Sequence, residues 1–172
     1  MNNMEHSVDE GTPPCDIRID RDGVWYYRGA EMFRKDILRL FYDHLKRDAD
    51  GRYLIDMGSE RCYLEVEDTP FVVRAIERTV SADDGEDKVI LTLIDGREEI
   101  LDPSTLRVGK DNVLYCSIMS GEHEARFSRA SYYDMANAFE YDPEKECFYF
   151  SINGRRYDLG EAPYKMEVTH AG

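Results

Sequence analysis

Alternating apolar residues near the start of the chain predict a β-hairpin over residues 17–28. Ile17 and Ile19 alternate with polar residues, Asp22 and Gly23 follow, and an aromatic run comes next. Asp-Gly between two β-type runs is a strong short-range signal for a tight turn. We therefore expect two antiparallel strands joined at this dipeptide.

The spacing of the apolar residues becomes helical between Phe33 and Lys46. Six apolar side chains share one arc of a helical projection, as in an amphipathic helix that covers a sheet. These residues are Phe33, Ile37, Leu38, Leu40, Phe41 and Leu45. His44 falls on the same arc, where a core position is a more common role for histidine than a ligand or a base.

Four more β-type runs complete the first half of the chain. Residues 53–55 and 62–66 predict a second hairpin, and residues 71–80 and 89–94 predict two further strands. The acidic segment 81–87 separates the last two runs and reads as an exposed loop.

The order of turn, aromatic strand, helix and hairpin occurs a second time. Residues 22–26 align with residues 111–115, and Asn153-Gly154 supplies the closing hairpin signal. The helix positions Phe33, Leu38, Phe41 and Leu45 align with Phe127, Tyr132, Met135 and Phe139. The sequence therefore predicts an α+β protein with duplicated hairpin–helix–hairpin units, each a mostly antiparallel sheet with one covering helix. The alternative is two unrelated α+β halves with a similar order of elements.

The predicted domain organisation has four segments. They are a disordered leader (1–14), a first repeat half with an extra hairpin (15–101), a second repeat half (102–164) and a tail (165–172). The leader is polar and acidic with no apolar signal region, and no segment approaches a transmembrane length. We therefore expect a cytoplasmic protein.

The charge balance restricts the partners. The chain carries 22 basic and 36 acidic residues, for a net charge of −14. Such a charge repels a nucleic acid polymer and an anionic membrane at long range, so we expect neither as a partner. A small phosphorylated ligand remains compatible, because a few arginines in a cleft override the distant field.

The four cysteines predict neither a metal site nor a disulfide framework. No two of them have the spacing of a zinc site, and each lies in or beside a strand-like run. They are Cys15, Cys62, Cys116 and Cys147. We expect them to be small apolar side chains in a reducing compartment.

No pattern of catalytic residues is visible in the sequence. The 12 glycines stand singly at turns and form no phosphate-binding loop, and no serine or cysteine has the context of an activated nucleophile. We therefore expect no enzymatic activity, no cofactor and no metal.

Motifs in both halves resemble a bacterial family of uncharacterised proteins, domain of unknown function 1285. In the first half they are GVWYYRG at 23–29, MFR at 32–34, LRLF at 38–41, DGRY at 50–53 and VEDTPF at 66–71. In the second half they are LRV at 106–108, EARFSR at 124–129, YYDM at 132–135 and YDLG at 157–160. The chain departs from the family pattern before Glu60 and near Met119.

The resemblance implies duplicated halves, the second of them superficially like a pleckstrin-homology domain. It also implies a nucleotide-like small ligand between the halves, a signalling or stress-response context, and no catalytic activity. The predicted function is therefore a non-enzymatic ligand-binding protein with a regulatory role. The alternative is a protein–protein interaction module with no small ligand, in which the acidic surface suits a basic partner. A homo-oligomer stays open.

Seven residues form the predicted ligand-binding set. They are Trp25, Arg34, Glu67, Asp68, Phe71, Arg129 and Tyr133. The two arginines hold an anionic group, the aromatic rings stack on the ligand, and the carboxylates orient the arginines or bind sugar hydroxyls. Arg34 falls within the apolar arc of the first helix, where a charge needs a partner or a ligand. The alternative is that its side chain extends past the helix end into solvent.

Overall fold

The computed structural model describes residues 11–161. The described residues form two compact units, and the division between them falls between Pro70 and Phe71. The predicted tail (165–172) and most of the predicted leader (1–14) lie outside the described residues. Pro14 is an exception to the leader, because it is the first residue of a strand.

The first unit is a six-stranded sheet with one helix. Its elements are β1 (Pro14–Ile19), β2 (Trp25–Tyr27), β3 (Ala30–Glu31), α1 (Lys35–Asp43), β4 (Leu45–Arg47), β5 (Tyr53–Asp56) and β6 (Arg61–Val66). The strand order is β3-β2-β1-β6-β5-β4. β1 and β6 run parallel, and the other neighbouring strands are antiparallel.

The two predicted hairpins of the first unit are confirmed. β1 pairs with β2 so that Ile19 lies opposite Trp25. The Asp20 carboxylate accepts hydrogen bonds from the backbone N–H groups of Asp22 and Val24, both at 2.9 Å. Gly23 adopts a φ of 79°, which glycine reaches without steric cost. The turn residues therefore fix the register of this hairpin.

The first helix is shorter than the predicted range of 33–46. α1 ends at Asp43, and the N–H of His44 bonds back to the Phe41 carbonyl. Leu45 belongs to β4, lies opposite Ile55 of β5, and is buried. Its apolar side chain fits the helical period, but the ladder with β5 holds its backbone in a strand. Phe33 precedes the helix and is 76% exposed.

A chain of hydrogen bonds in the core of the first unit joins the sheet to α1. Trp25 is 2% exposed, and its Nε1 donates to the Tyr42 hydroxyl at 2.9 Å. That hydroxyl donates in turn to the Pro70 carbonyl, also at 2.9 Å. The two rings meet edge to face with centroids 5.0 Å apart. Both polar ends of these large side chains are therefore satisfied in the core.

The second unit contains a six-stranded sheet, a helix and a three-stranded sheet. The elements of the first sheet are β7 (Phe71–Val80), β8 (Asp87–Leu93), β9 (Glu98–Ile100), β10 (Arg107–Val108), β11 (Leu114–Ile118) and β12 (His123–Phe127). They are followed by α2 (Arg129–Ala136), β13 (Phe139–Asp142), β14 (Cys147–Ile152) and β15 (Arg155–Glu161). The orders are β10-β11-β12-β7-β8-β9 and β13-β14-β15, with β12 and β7 parallel.

Serine side chains fix the start of α2 against the sheet. The Ser128 hydroxyl caps the helix by accepting from the Ser131 N–H. Ser131 is fully buried and donates its own hydroxyl to the Val73 carbonyl of β7 at 2.7 Å. Phe139, predicted as a helix position, lies in β13 opposite Phe150 because it pairs with β14. This helix is therefore also shorter than its apolar period indicates.

The Asn153-Gly154 turn is confirmed and has a second contact. Both residues have positive φ, 51° and 72°, as the favoured hairpin turn requires. The Asn153 side-chain amide accepts from the Asp87 N–H and donates to the Asp87 carbonyl, each at 2.8 Å. The turn between β14 and β15 is thereby tied to the start of β8.

The predicted fold class, α+β with duplicated units, is confirmed. Each copy has strands before its helix and three antiparallel strands after it, β4–β6 in the first unit and β13–β15 in the second. The predicted halves 15–101 and 102–164 do not coincide with the two compact units, because β7–β9 share a sheet with β10–β12. The two α-helices of the described residues have 9 and 8 residues, too few to cross a bilayer.

We expect Tyr42→Phe to destabilise the first unit by about 1–3 kcal/mol, because both the Trp25 indole N–H and the Pro70 carbonyl lose a buried partner. Urea unfolding followed by tryptophan fluorescence measures the loss in this unit, since Trp25 is the one tryptophan of the chain. Tyr27→Phe removes a hydroxyl from a tyrosine of the same unit that is 45% exposed and serves as the control, with a change below about 0.5 kcal/mol. Equal effects of the two variants would contradict the role of the Tyr42 hydroxyl.

Candidate functional site

The first unit contains a groove of about 1010 Å³. Its walls come from the start of β1, the strands β2 and β5, α1, and the turn between β5 and β6. Apolar side chains form most of the lining, among them Ile17, Tyr27, Met32, Ile37, Phe41 and Ile55. A groove of this size and character is typical of a small-molecule site.

The secondary structure explains why these side chains converge. Ile37 and Phe41 lie four residues apart on α1 and therefore share one face of the helix. Ile17 and Ile55 are buried on the sheet, in β1 and β5. The Phe41 ring stacks on Trp25 with centroids 6.0 Å apart. The aromatic core thus supports the floor of the groove.

A small charged cluster lies at the rim of the groove. Asp56 accepts from Lys46 Nζ at 3.0 Å, pairs with Arg61 Nε at 3.3 Å, and accepts from the Gly58 N–H at 2.9 Å. These contacts lower the pKa of Asp56 to about 2, with the Gly58 hydrogen bond as the largest cause and the Lys46 hydrogen bond next. Arg61 is therefore a cation of the groove lining that is held in place by a shared carboxylate.

The expectation of four unpaired cysteines is wrong. Cys15 of β1 and Cys62 of β6 form a disulfide that lines the groove. The two strands are neighbours in the sheet, which brings together residues that are 47 positions apart in sequence. The other two cysteines, Cys116 and Cys147, are buried thiols of the second unit and fit the expectation.

The predicted ligand-binding residues of the first unit do not line the groove. Trp25 is a buried core residue, and its ring is covered by Phe41 and Tyr42. Arg34 lies just before α1, exposed and bonded to Asp36 at 2.6 Å, as in the solvent alternative. The Arg34 hydrogen bond lowers the pKa of Asp36.

The two predicted carboxylates lie at and after the end of β6. Glu67 pairs with Arg18 at 2.7 Å and accepts from the Arg21 N–H at 3.2 Å. Asp68 is half-buried in the bend that follows. Arg34 therefore pairs with its near neighbour Asp36, whereas Glu67 pairs with Arg18.

The remaining three predicted residues belong to the second unit. Phe71 is fully buried, with its ring centroid 5.1 Å from that of His123. Arg129 and Tyr133 lie one turn apart on α2, and both are exposed. The seven predicted residues are divided between the two units. That they bind one ligand together stays a prediction.

Sequence reasoning missed the groove, although its parts carried a signal. Cys15 alternates with Ile17, and Cys62 alternates with Leu64, so each cysteine shares a face with the apolar side chains of its strand. The sequence does not show that these two strands pair in parallel, and that pairing is what brings the two cysteines together. Within residues 11–161 no cluster of three or more His, Cys, Asp or Glu side chains is arranged to hold a metal ion.

Residues 8–69 match the model of a protein family described as "Domain of unknown function (DUF1285), N-terminal domain". The matched range corresponds closely to the first unit. The predicted resemblance to DUF1285 is confirmed. The groove and its disulfide thus lie within the range that matches this N-terminal domain model.

Two solved structures share the fold. A DUF1285 family protein from Silicibacter pomeroyi DSS-3 is 24% identical with a TM-score of 0.71, over 94% of this chain and 91% of that protein. A DUF1285 family protein from Shewanella baltica OS155 is 23% identical with a TM-score of 0.60, over 74% of this chain and 94% of that protein. A comparison with curated proteins finds no match.

We expect the Asp56 cluster to contribute stability that is lost in acid. A carboxylate with a lowered folded-state pKa stabilises the fold above its unfolded pKa of about 3.9, and this contribution disappears as the pH falls towards about 2. Asp56→Asn should therefore flatten the fall of the unfolding free energy between about pH 4 and pH 2. Urea unfolding across this range measures the slope. Asp22→Asn, in the exposed turn between β1 and β2 of the same unit, removes the same charge outside the Asp56 cluster and serves as the control.

Proposed function

We propose that this protein is a non-enzymatic ligand-binding protein with a regulatory role. The groove of the first unit takes a small organic ligand that has an apolar body and one anionic group. The observation that carries the proposal is the apolar groove of about 1010 Å³ with a single arginine, Arg61, in its lining.

The lining suits the apolar body of such a ligand. Ile37, Met32 and Phe41 are only half-buried, so they still expose apolar area that a ligand can cover. Each Å² of apolar surface removed from water contributes about 25 cal/mol. Tyr27 is more exposed and adds an aromatic face at the same groove. A planar ring system or an acyl chain fits this surface.

The charges at the rim favour a single negative charge on the ligand. Arg61 is bound to Asp56, which keeps Lys46 and the Gly58 N–H as partners if Arg61 turns to a ligand. Glu60 and the net charge of −14 oppose a polyanion. Among nucleotide-like ligands, a cyclic mononucleotide with one charge therefore fits better than a triphosphate.

An interaction module is the second candidate, and two exposed apolar side chains, one just before α1 and one on it, favour it. Phe33 and Leu40 are 76% and 42% exposed and do not line the groove. Exposed large apolar side chains of this kind often mark contacts with a partner protein. A basic partner would also suit the acidic chain.

The proposal includes the cytoplasm as the compartment in which the protein acts. A disulfide is uncommon there, because cellular thiols keep cysteines reduced. Cytoplasmic disulfides are usually transient, catalytic or redox-sensing. In this compartment the Cys15–Cys62 bond would therefore belong to the transient or redox-sensing kind.

Ligand binding can be tested with a panel of probes on two variants of α1. The panel contains anilinonaphthalene sulfonate, a medium-chain fatty acid, a cyclic mononucleotide and a nucleoside triphosphate, each titrated by calorimetry or fluorescence. We expect the single-charge probes to bind, and Ile37→Asn to weaken them about tenfold, because it places an amide against the apolar ligand body. Leu40→Asn changes the same helix outside the groove and should bind as the wild type.

Two results would contradict the groove assignment. One is equal binding by wild type and Ile37→Asn, and the other is a panel that shows no binding at all. Arg61→Gln provides a separate test of the charge, since it should weaken the fatty acid more than the corresponding neutral alcohol. If Leu40→Asn instead abolishes capture of a basic partner protein, the interaction module is favoured.

A further inference from the structure

We propose that the Cys15–Cys62 disulfide is a thiol-exchange site that controls the groove. A low-molecular-weight monothiol such as glutathione is the class of reactant. The control of ligand binding rests on the proposed function, whereas the exchange reaction does not.

The position of the disulfide makes it open to attack. Both cysteines line the groove, and neither is buried. The groove is large enough to admit a tripeptide thiol beside the sulfur atoms. Accessible disulfides are the labile and regulatory ones, whereas shielded disulfides resist reduction.

The other two cysteines have the opposite environment. Cys116 is fully buried, and burial together with the nearby carboxylates of Glu99 and Glu124 raises its pKa to about 12. Cys147 is also buried. A thiol reacts as its thiolate, so Cys116 is a poor reactant, and burial shields the Cys147 thiol from a reagent. Both serve as internal references.

The covalent bond spans an interruption in the ladder between β1 and β6. Pro14 pairs with Tyr63, the register then shifts, and the ladder resumes where Arg18 pairs with Glu65. Cys15 lies inside this interruption, beside Asp16 with a φ of 57°. The disulfide therefore holds the first part of β1, a wall of the groove, where the backbone pairing is incomplete.

The reaction balances as two successive exchanges. A thiolate attacks one cysteine Sγ, the S–S bond breaks, and the other cysteine leaves as a thiolate that takes a proton from water. A second thiolate attacks the sulfur of the small thiol in the mixed disulfide and releases the remaining cysteine. The bridge gains two electrons and two protons, and two monothiols become one oxidised disulfide. Reduction leaves the β1 wall held by noncovalent contacts, which include the hydrogen bond from the Tyr63 N–H to the Pro13 carbonyl.

The test uses the full chain, oxidised, in native buffers that range from oxidised to reduced glutathione. Acid quenching, alkylation and mass spectrometry then locate the thiols. We expect Cys15 and Cys62 to become alkylated or to carry glutathione, while Cys116 and Cys147 stay unmodified. A bridge that survives fully reduced glutathione until denaturant is added would overturn the proposal and show a structural bond.

The second measurement compares binding of anilinonaphthalene sulfonate to oxidised and reduced protein. We expect about tenfold weaker binding after reduction, as for a wall that is ordered about a tenth of the time. The double variant Cys15→Ser/Cys62→Ser should bind like the reduced protein, and Cys116→Ala/Cys147→Ala should keep the redox response. Equal affinity of the two redox forms would overturn the control of the groove. If neither form binds any probe, the proposed function fails, and the alkylation result still decides the exchange reaction.

Discussion

The parallel pairing of β1 with β6 is the constraint on which the first unit depends. It joins two hairpins that are local in sequence, β1–β2 and β5–β6, into one sheet. A parallel pair cannot be closed by a tight turn, so the intervening chain must cross over, and here α1 and β4 lie within that crossover. The helix is thereby placed against the sheet. Ile37 and Phe41 of the helix then line the groove together with the start of β1.

The same pairing determines which side chains can act together. Cys15 and Cys62 become neighbours only through it, and Ile17 and Ile55 come to line one groove. The hydrogen bonds from Trp25 to Tyr42 and from Tyr42 to Pro70 then hold the helix over the sheet. Two of the three aromatic side chains that the sequence marks as ligand contacts, Trp25 and Phe71, thus serve the core. Less conspicuous aliphatic residues form most of the candidate site.

Charge has a local role in this acidic protein. Asp56 binds Lys46, Arg61 and the Gly58 N–H at the rim of the groove. Arg34 instead pairs with Asp36 at the surface, and Glu67 pairs there with Arg18. Exposed ion pairs contribute little to stability because water screens them. The Asp56 side chain is 10% exposed, but its partners Lys46 and Arg61 are 62% and 54% exposed, so water screens these pairs too. The cluster matters mainly because it places Arg61 in the lining of the groove.

The sequence alone determined the hairpins, the α+β class and the repeated order of elements, because turn and period preferences act over a few residues. Its motifs also carried the resemblance to DUF1285. Asp22-Gly23 and Asn153-Gly154 specify turns through their own backbone preferences, which act over a few residues. The predicted helices extend too far, because Leu45 and Phe139 fit a helical period but are held in strands by β5 and β14. Only the tertiary structure decided the disulfide, the groove and the burial of Trp25 and Phe71. Each of these depends on contacts between strands distant in sequence, and no periodicity within one segment encodes which distant strand will become its neighbour.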